Sequence, residues 1–72
     1  MKTEPQLILA EYLGINSDNL FLIDNETNSW SDGKRDFRVE KEWLNPIEFS
    51  NLTLEARLGE YFVYSYVSAL TN

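Results

Sequence analysis

The chain has 72 residues, with 12 Asp or Glu against 6 Lys or Arg, and a formal net charge of −6. It contains no cysteine and no histidine, which excludes disulfides, thiolate or imidazole metal sites, and Cys or His nucleophile chemistry. The length allows one domain, residues 1–72, with a thin margin of stability. The charge favours basic protein partners and disfavours direct contact with nucleic acid or an anionic membrane.

The first predicted element is a helix over about residues 4–13. Thr3-Glu4-Pro5-Gln6 resembles a capping box with proline in the first turn. Gly14-Ile15 fits a left-handed cap with its hydrophobic contact. Asn16–Asn19 predicts a loop or a single helical turn. Four apolar residues fall at helical spacing between the two caps: Ile8, Leu9, Tyr12 and Leu13.

The middle of the chain predicts a three-stranded antiparallel meander. Leu20–Ile23 is a short apolar run bounded by turn residues, which is typical of a buried strand, and residues 27–31 can pair back with it. Asp32-Gly33 predicts a type I′ hairpin turn. In the third strand, within residues 34–42, alternation places Phe37 and Val39 on the buried face.

The last third predicts a short turn followed by a helix. Asn45-Pro46-Ile47-Glu48 has capping-box character and begins a turn that ends near Ser50 or Asn51. Beyond it, Thr53 can cap an amphipathic helix. The aromatic and β-branched content of residues 61–67 leaves a strand after Gly59-Glu60 as the alternative. The apolar residues that recur every four positions are Leu54, Leu58, Phe62, Tyr66 and Leu70.

These elements predict an α+β fold in which an N-terminal helix and a C-terminal helix pack on a three-stranded antiparallel meander, with the other face of the sheet open. No N-terminal apolar leader and no run of about 20 apolar residues occurs. We therefore expect a cytoplasmic protein that is not held in a membrane.

The carboxylates do not form a catalytic or metal-binding pattern. Residues 18–26 lack the glycine and the terminal glutamate of an EF-hand loop. A solvated acidic face fits these carboxylates better than acid and base catalysis does. We therefore expect no enzyme activity, no cofactor and no metal.

Four of the six cations cluster beside Trp30, which would suit binding of a single nucleic-acid strand. Neighbouring carboxylates nearly cancel their field, so we expect cross-strand and neighbour pairing instead. The four cations are Lys34, Arg35, Arg38 and Lys41.

The ten aromatic residues divide into expected core and expected surface. We expect Phe21, Phe37, Phe49 and Phe62 inside, and Tyr12 and Tyr66 partly inside. Because Tyr and Trp are enriched in binding hot spots, the exposed anchors for a partner are predicted to be Trp30, Trp43, Tyr61 and Tyr64. Partial packing on the protein's own sheet is the alternative for each of them.

The order of these features resembles small orphan proteins of phages and prophages. The features are Tyr12-Leu13-Gly14-Ile15, Asp18-Asn19-Leu20, Trp30, Asp32-Gly33, Phe37-Arg38-Val39 and the closing helix. Such proteins include acidic inhibitors of host defence, among them anti-CRISPR and anti-restriction proteins. The resemblance implies a mobile-element origin and an inhibitory role, and it carries over no site residue.

The leading functional hypothesis is a non-enzymatic inhibitor or modulator that blocks a basic or nucleic-acid-binding surface of a host protein. In the rival hypothesis the chain is a homo-oligomeric assembly protein, a homodimer at the simplest, in which residues 61–70 form the interface. In the inhibitor hypothesis, carboxylates steer the association. They are Glu4, Glu11, Asp24, Glu26, Glu48, Glu55 and Glu60.

Overall fold

A computed structural model describes residues 2–66, which form one α-helix, one 3₁₀ turn and five strands. The strands form a single antiparallel sheet in the order β1-β2-β3-β5-β4. The fold is one helix on a five-stranded sheet. The helix α1 spans Glu4–Leu13, and the strands are β1 (Phe21–Asp24), β2 (Ser29–Ser31), β3 (Asp36–Glu40), β4 (Leu52–Leu58) and β5 (Tyr61–Tyr66).

The first helix is confirmed, with both of its ends capped. The Thr3 side chain accepts from the Gln6 backbone N–H at 3.4 Å, but the Gln6 side chain donates to the Ser17 carbonyl instead of reaching back. Gly14, with φ +70°, ends the helix in the left-handed region. The Ile15 N–H donates to the Ala10 carbonyl at 3.1 Å, which completes a Schellman motif.

The single helical turn after α1 is also confirmed. Ser17–Asn19 form the 3₁₀ turn, and the Asn16 side chain caps it by accepting from the Asp18 N–H at 2.9 Å. The turn leads into the sheet through Leu20, which is buried.

The β2–β3 hairpin forms as predicted, but its turn is different. Asp32 does not have the positive φ that a type I′ turn requires, and the loop runs over four residues, Asp32–Arg35. One Asp32 carboxylate oxygen accepts from the Arg35 and Lys34 N–H groups, at 2.9 Å each. These bonds lower the pKa of Asp32.

The predicted C-terminal helix is wrong. Leu52–Leu58 and Tyr61–Tyr66 are antiparallel strands joined by the two-residue loop Gly59-Glu60. Of these two loop residues only Gly59 has positive φ, +63°, as in a type II′ turn. The strand alternative is therefore right for residues 61–66, and the sheet has five strands instead of three. Val67 and Leu70 lie outside the described residues.

The chain crosses one face of the sheet between β3 and β4, because β5 lies between these two strands. We call residues 41–51 the crossover. It includes the turn that Asn45-Pro46 predicts, in which the Phe49 N–H donates to the Asn45 carbonyl at 2.9 Å. The Leu44 N–H donates to the Tyr64 hydroxyl at 2.8 Å. The face opposite α1 is thus partly covered, where the sequence predicts an open face.

The main core lies between α1 and the sheet. Phe37, Val39 and Val63 are fully buried there, as is Leu9 of the helix. The alternation predicted for the third strand is confirmed, because Phe37 and Val39 face the helix. Within residues 2–66, the ten-residue α1 is the only α-helix, and it is too short to span a membrane.

Candidate protein-binding site

The outer edge of β1 is the largest run of exposed apolar side chains in consecutive positions of the described chain. Phe21, Leu22 and Ile23 are 63%, 60% and 46% exposed. Strand β1 is the first in the sheet order, and within residues 2–66 only β2 pairs with it. We call Phe21, Leu22 and Ile23, with the unpaired side of their backbone, the β1 edge.

The sequence predicts β1 as a buried strand, and this is wrong, including for Phe21. The helix packs mainly on β3, β4 and β5, and a helix about 10 Å wide cannot also cover a strand lying two spacings of about 4.8 Å beyond β3. Only Leu20, just before the strand, reaches the core. The local sequence does not determine which strand lies at the edge of the sheet, so the apolar run Leu20–Ile23 does not indicate that β1 is exposed.

A cleft of about 230 Å³ lies beside the β1 edge on the face opposite α1. We call it the β1 cleft. Its volume is below the range of about 300–1,000 Å³ that is typical of small-molecule sites, so it suits a single side chain better than a cofactor. Its lining includes Ile23, Asp24, Ser29, Arg38, Leu52 and Tyr66.

The polar groups of the β1 cleft are held by local contacts. The Arg38 Nε donates to Glu40 Oε2 at 2.6 Å, and the guanidinium lies over the Phe49 ring. Asp24 Oδ1 accepts from the Glu26 N–H at 2.9 Å. Burial raises the pKa of Tyr66, with nearby carboxylates adding to the rise, so the phenol is neutral and able to donate a hydrogen bond at neutral pH.

The comparisons with known proteins add nothing to this geometry. No family model, curated protein or solved structure matches the chain. The resemblance to phage and prophage proteins therefore stays a prediction from the order of sequence features.

Three of the four aromatic residues predicted as exposed anchors are buried. Trp30 is 3% exposed, Tyr61 6% and Tyr64 2%. Trp30 and Tyr61 belong to the core under α1, and Tyr64 lies under the crossover. Their predicted exposure is wrong, and only Trp43, at 58%, is a surface residue.

The burial and pairing of β5 also bear on the rival hypothesis of self-assembly through residues 61–70. Strand β5 lies between β3 and β4 and pairs with both. Its backbone edges are therefore occupied, and its Tyr61, Val63 and Tyr64 side chains are buried. The remaining four residues of the proposed interface, 67–70, lie outside the described residues.

The predicted core and half-buried aromatics follow the prediction more closely. Phe37 is fully buried, while Phe49 and Phe62 are partly exposed. Tyr12 and Tyr66 are half-buried, as predicted. The Arg57 guanidinium lies 5.0 Å from the centre of the Phe62 ring, so a cation covers that ring where the core does not.

Most of the carboxylates predicted to steer a partner lie on the surface. Asp24 and Glu26 flank the β1 edge, and no lysine or arginine occurs in residues 16–32, which contain Asp18, Asp24, Glu26 and Asp32. The exception is Glu55, whose side chain is 14% exposed. The six exposed members of the predicted set are Glu4, Glu11, Asp24, Glu26, Glu48 and Glu60.

Glu55 is a structural ion-pair partner instead of a free surface charge. A β-bulge in β4 turns it toward α1, where Tyr12 donates to Oε1 at 2.8 Å and Arg35 donates to Oε2 at 2.6 Å. Desolvation alone would raise the pKa of Glu55, but hydrogen bonds from Ser65, Tyr12 and Arg35 outweigh it and lower the pKa. The cluster ties α1, the β2–β3 loop and β4 together.

Glu4 has a similar local role at the other end of the helix. The Tyr61 hydroxyl donates to Glu4 Oε1 at 2.8 Å. This hydrogen bond, with burial and nearby negative charge, raises the pKa of Tyr61 to about 12. The phenol therefore stays neutral at neutral pH and joins β5 to the first turn of α1.

Three of the four cations of the predicted basic cluster form ion pairs within the chain, one with a sequence neighbour and two with carboxylates about 20 positions away. Arg35 pairs with Glu55, Arg38 with Glu40, and Lys41 Nζ lies 4.0 Å from Glu60. Each of these three cations also lies over an aromatic ring. These three basic side chains are thus engaged by groups of the same chain, and the absence of nucleic-acid binding stays a prediction.

Trp43 and Ile47 form a second exposed apolar feature. Both belong to the crossover, and Ile47 is 86% exposed. They are separated in sequence by Leu44, Asn45 and Pro46, and they present no strand edge. They provide a comparison surface for any binding assigned to the β1 edge.

Proposed function

We propose that this protein is a non-enzymatic inhibitor or modulator that binds a basic, nucleic-acid-binding surface of another protein. The observation that carries the proposal is the β1 edge, where three consecutive apolar side chains are exposed beside Asp24 and Glu26. Runs of exposed apolar residues are normally avoided unless they serve a function. The two carboxylates favour a partner surface of positive charge.

The charge distribution supports a basic partner. Five of the six cations take part in ion pairs or lie over aromatic rings within the chain. The net charge of −6 leaves an excess of carboxylates on the surface, and such a field accelerates encounter with a positively charged surface. A protein surface that binds nucleic acid carries this kind of charge.

A binding role accounts for the polar groups better than catalysis does. Glu55, whose side chain is 14% exposed, has its oxygens engaged by Tyr12 and Arg35, so it is poorly placed to exchange protons with a substrate. The mobile-element origin of the inhibitor is proposed from the sequence resemblance alone.

The experiment that tests this function couples capture to inhibition. The protein is immobilised and exposed to the heparin-binding fraction of a bacterial lysate, and retained proteins are then purified individually. We expect one of them to bind a fluorescent DNA duplex, and one molar equivalent of this chain to abolish that binding. An excess of free duplex should in turn release the captured protein. A retained protein that binds DNA equally well with and without this chain would contradict the proposal, and so would the absence of any retained protein.

A further inference from the structure

We propose that the β1 edge binds an extended segment of the partner as an added sixth strand, with a lysine or arginine of that segment in the β1 cleft. This inference rests on the proposed function and specifies how the partner is held. In strand addition, backbone hydrogen bonds supply affinity, while alternate side chains supply specificity.

The backbone of β1 is available for this pairing. Phe21–Asp24 pairs with β2 on one side, and within the described residues no strand occupies the other side. An edge strand usually avoids added strands by shortness, bulges or charge. β1 is four residues long and bulged near Ile23, which limits an added segment to about four residues, or roughly 13 Å.

The side chains of β1 would extend both layers of the fold. Leu22 pairs with Trp30, a residue of the core under α1, so an apolar residue packed on Leu22 would extend that core. Ile23 lines the β1 cleft on the other face. An incoming strand therefore meets apolar surface on both sides of its backbone, which is the condition for burying it stably.

The β1 cleft matches a basic side chain. Ile23 and Leu52 offer apolar wall, and Asp24 places a carboxylate in the lining. The apolar stem and charged head of lysine or arginine suit such a combination. The one cation in the lining, Arg38, is already paired with Glu40 at 2.6 Å, which reduces its repulsion of an incoming charge.

Charge also decides against a second copy of this chain as the added strand. Pairing two β1 edges across a two-fold axis would bring Asp24 and Glu26 of both copies to one interface, with four carboxylates and no lysine or arginine from residues 16–32 of either chain. Like charges that face each other across strands are destabilising. A basic segment removes this repulsion and gains attraction.

A defined peptide pair tests the mode of binding. The capped peptide Lys-Val-Lys-Val-Lys-Val is titrated into the ¹⁵N-labelled protein, with Glu-Val-Glu-Val-Glu-Val as the matched control. We expect the basic peptide to shift the amide resonances of residues 21–24 and to slow their hydrogen exchange at least threefold, and the acidic peptide to do neither. Shifts centred on other residues, equal effects of both peptides or no effect of either would overturn the inference.

Two variants that add the same charge locate the site on the natural partner. Leu22→Lys places a cation on the β1 edge, and Ile47→Lys places one on the crossover, at positions that are 60% and 86% exposed. We expect Leu22→Lys to weaken binding at least tenfold and Ile47→Lys less than twofold, with unchanged circular dichroism for both. If the partner still binds and is inhibited but Ile47→Lys is the damaging variant, the strand addition is wrong while the proposed function stands.

Discussion

Glu55 shows how one side chain can join elements that are distant in sequence. It accepts a hydrogen bond from Tyr12, 43 positions away, and a bidentate pair from Arg35, 20 positions away. The sequence predicts this carboxylate on the steering surface, because a glutamate in an apparent helix gives no sign of the bulge that turns it inward. Its partners become visible only when the register of β4 and β5 is known.

The first prediction follows from this cluster. Glu55→Gln should lower the free energy of unfolding at pH 7 by about 1–2 kcal/mol, since hydrogen bonds to a charged group are stronger than neutral ones. Exposure of Arg35 keeps the effect at the low end of the range for charged groups. The measurement is urea unfolding at pH 7, with Glu48→Gln, which changes an exposed carboxylate, as the matched control.

The same variant has a defined pH dependence. The pKa of Glu55 is lowered below its ordinary value of 4.5, so its stabilisation is fully present above about pH 4.5 and is lost as the pH falls through the folded-state value. We therefore expect the difference between wild type and Glu55→Gln to shrink progressively as the pH falls below 4.5, measured down to the lowest pH at which both proteins remain folded. A difference that stays constant over this range, or a Glu48→Gln effect of equal size at pH 7, would contradict the assignment.

At the scale of elements, the helix and the hairpin were predictable because their signals are local. Thr3 and Gly14 mark the two ends of α1, and each makes the backbone contact that its residue type favours. The alternation of Phe37 and Val39 similarly gives the inward face of β3. In each case a few neighbouring residues contain the whole signal.

The prediction of a closing helix was wrong because the spacing of the apolar residues fits both a helix and a strand. A spacing of four residues keeps Leu54, Leu58 and Phe62 near one side of a helix, but an even spacing also keeps residues on one face of a strand. Aromatic and β-branched residues between positions 61 and 67, with a glycine suited to a tight turn at 59, favoured strands, and tertiary pairing with β3 decided the outcome. The exposure of β1 was unpredictable for a related reason, since strand order is a property of the whole sheet.

A second prediction concerns the end of α1. Gly14 has φ +70° and ψ +31°, and a Cβ at this position would meet no atom within 4 Å. Gly14→Ala should therefore cost about 1 kcal/mol through backbone conformation alone, and Gly14→Asn clearly less, because asparagine tolerates this region. In thermal unfolding, the Ala variant should melt about 4–8 °C below wild type, with Asn between the two. Equal melting of both variants would show that the cap is not limited by backbone conformation.

At the scale of the whole molecule, the net charge of −6 acts on the rate of association. Attraction between exposed charges is screened within about 10 Å at 0.1 M salt. We expect the association rate constant with the inhibited partner to fall at least tenfold between 50 and 500 mM NaCl, with a much smaller change in the dissociation rate. Stopped-flow or surface-based kinetics would measure both.

The position of the charge provides the control for this third prediction. The double variant Asp24→Asn/Glu26→Gln removes two carboxylates beside the β1 edge. The double variant Glu11→Gln/Glu60→Gln removes one carboxylate from α1 and one from the turn after β4, the strand at the opposite edge of the sheet. We expect the first pair to slow association several-fold more than the second. Equal slowing by both pairs would mean that net charge alone, and not its place, governs encounter.

The strand order has a consequence for how the protein is made. Strand β5 is the last of the described strands in sequence, yet it lies inside the sheet, between β3 and β4. While the ribosome has not yet released residues 61–66, β4 has no neighbour to pair with and β3 has one open side. The nascent chain therefore completes its core late, when β5 pairs with β4 and with β3. The pairing of β5 with β3 is the long-range step, and it should set the speed of folding.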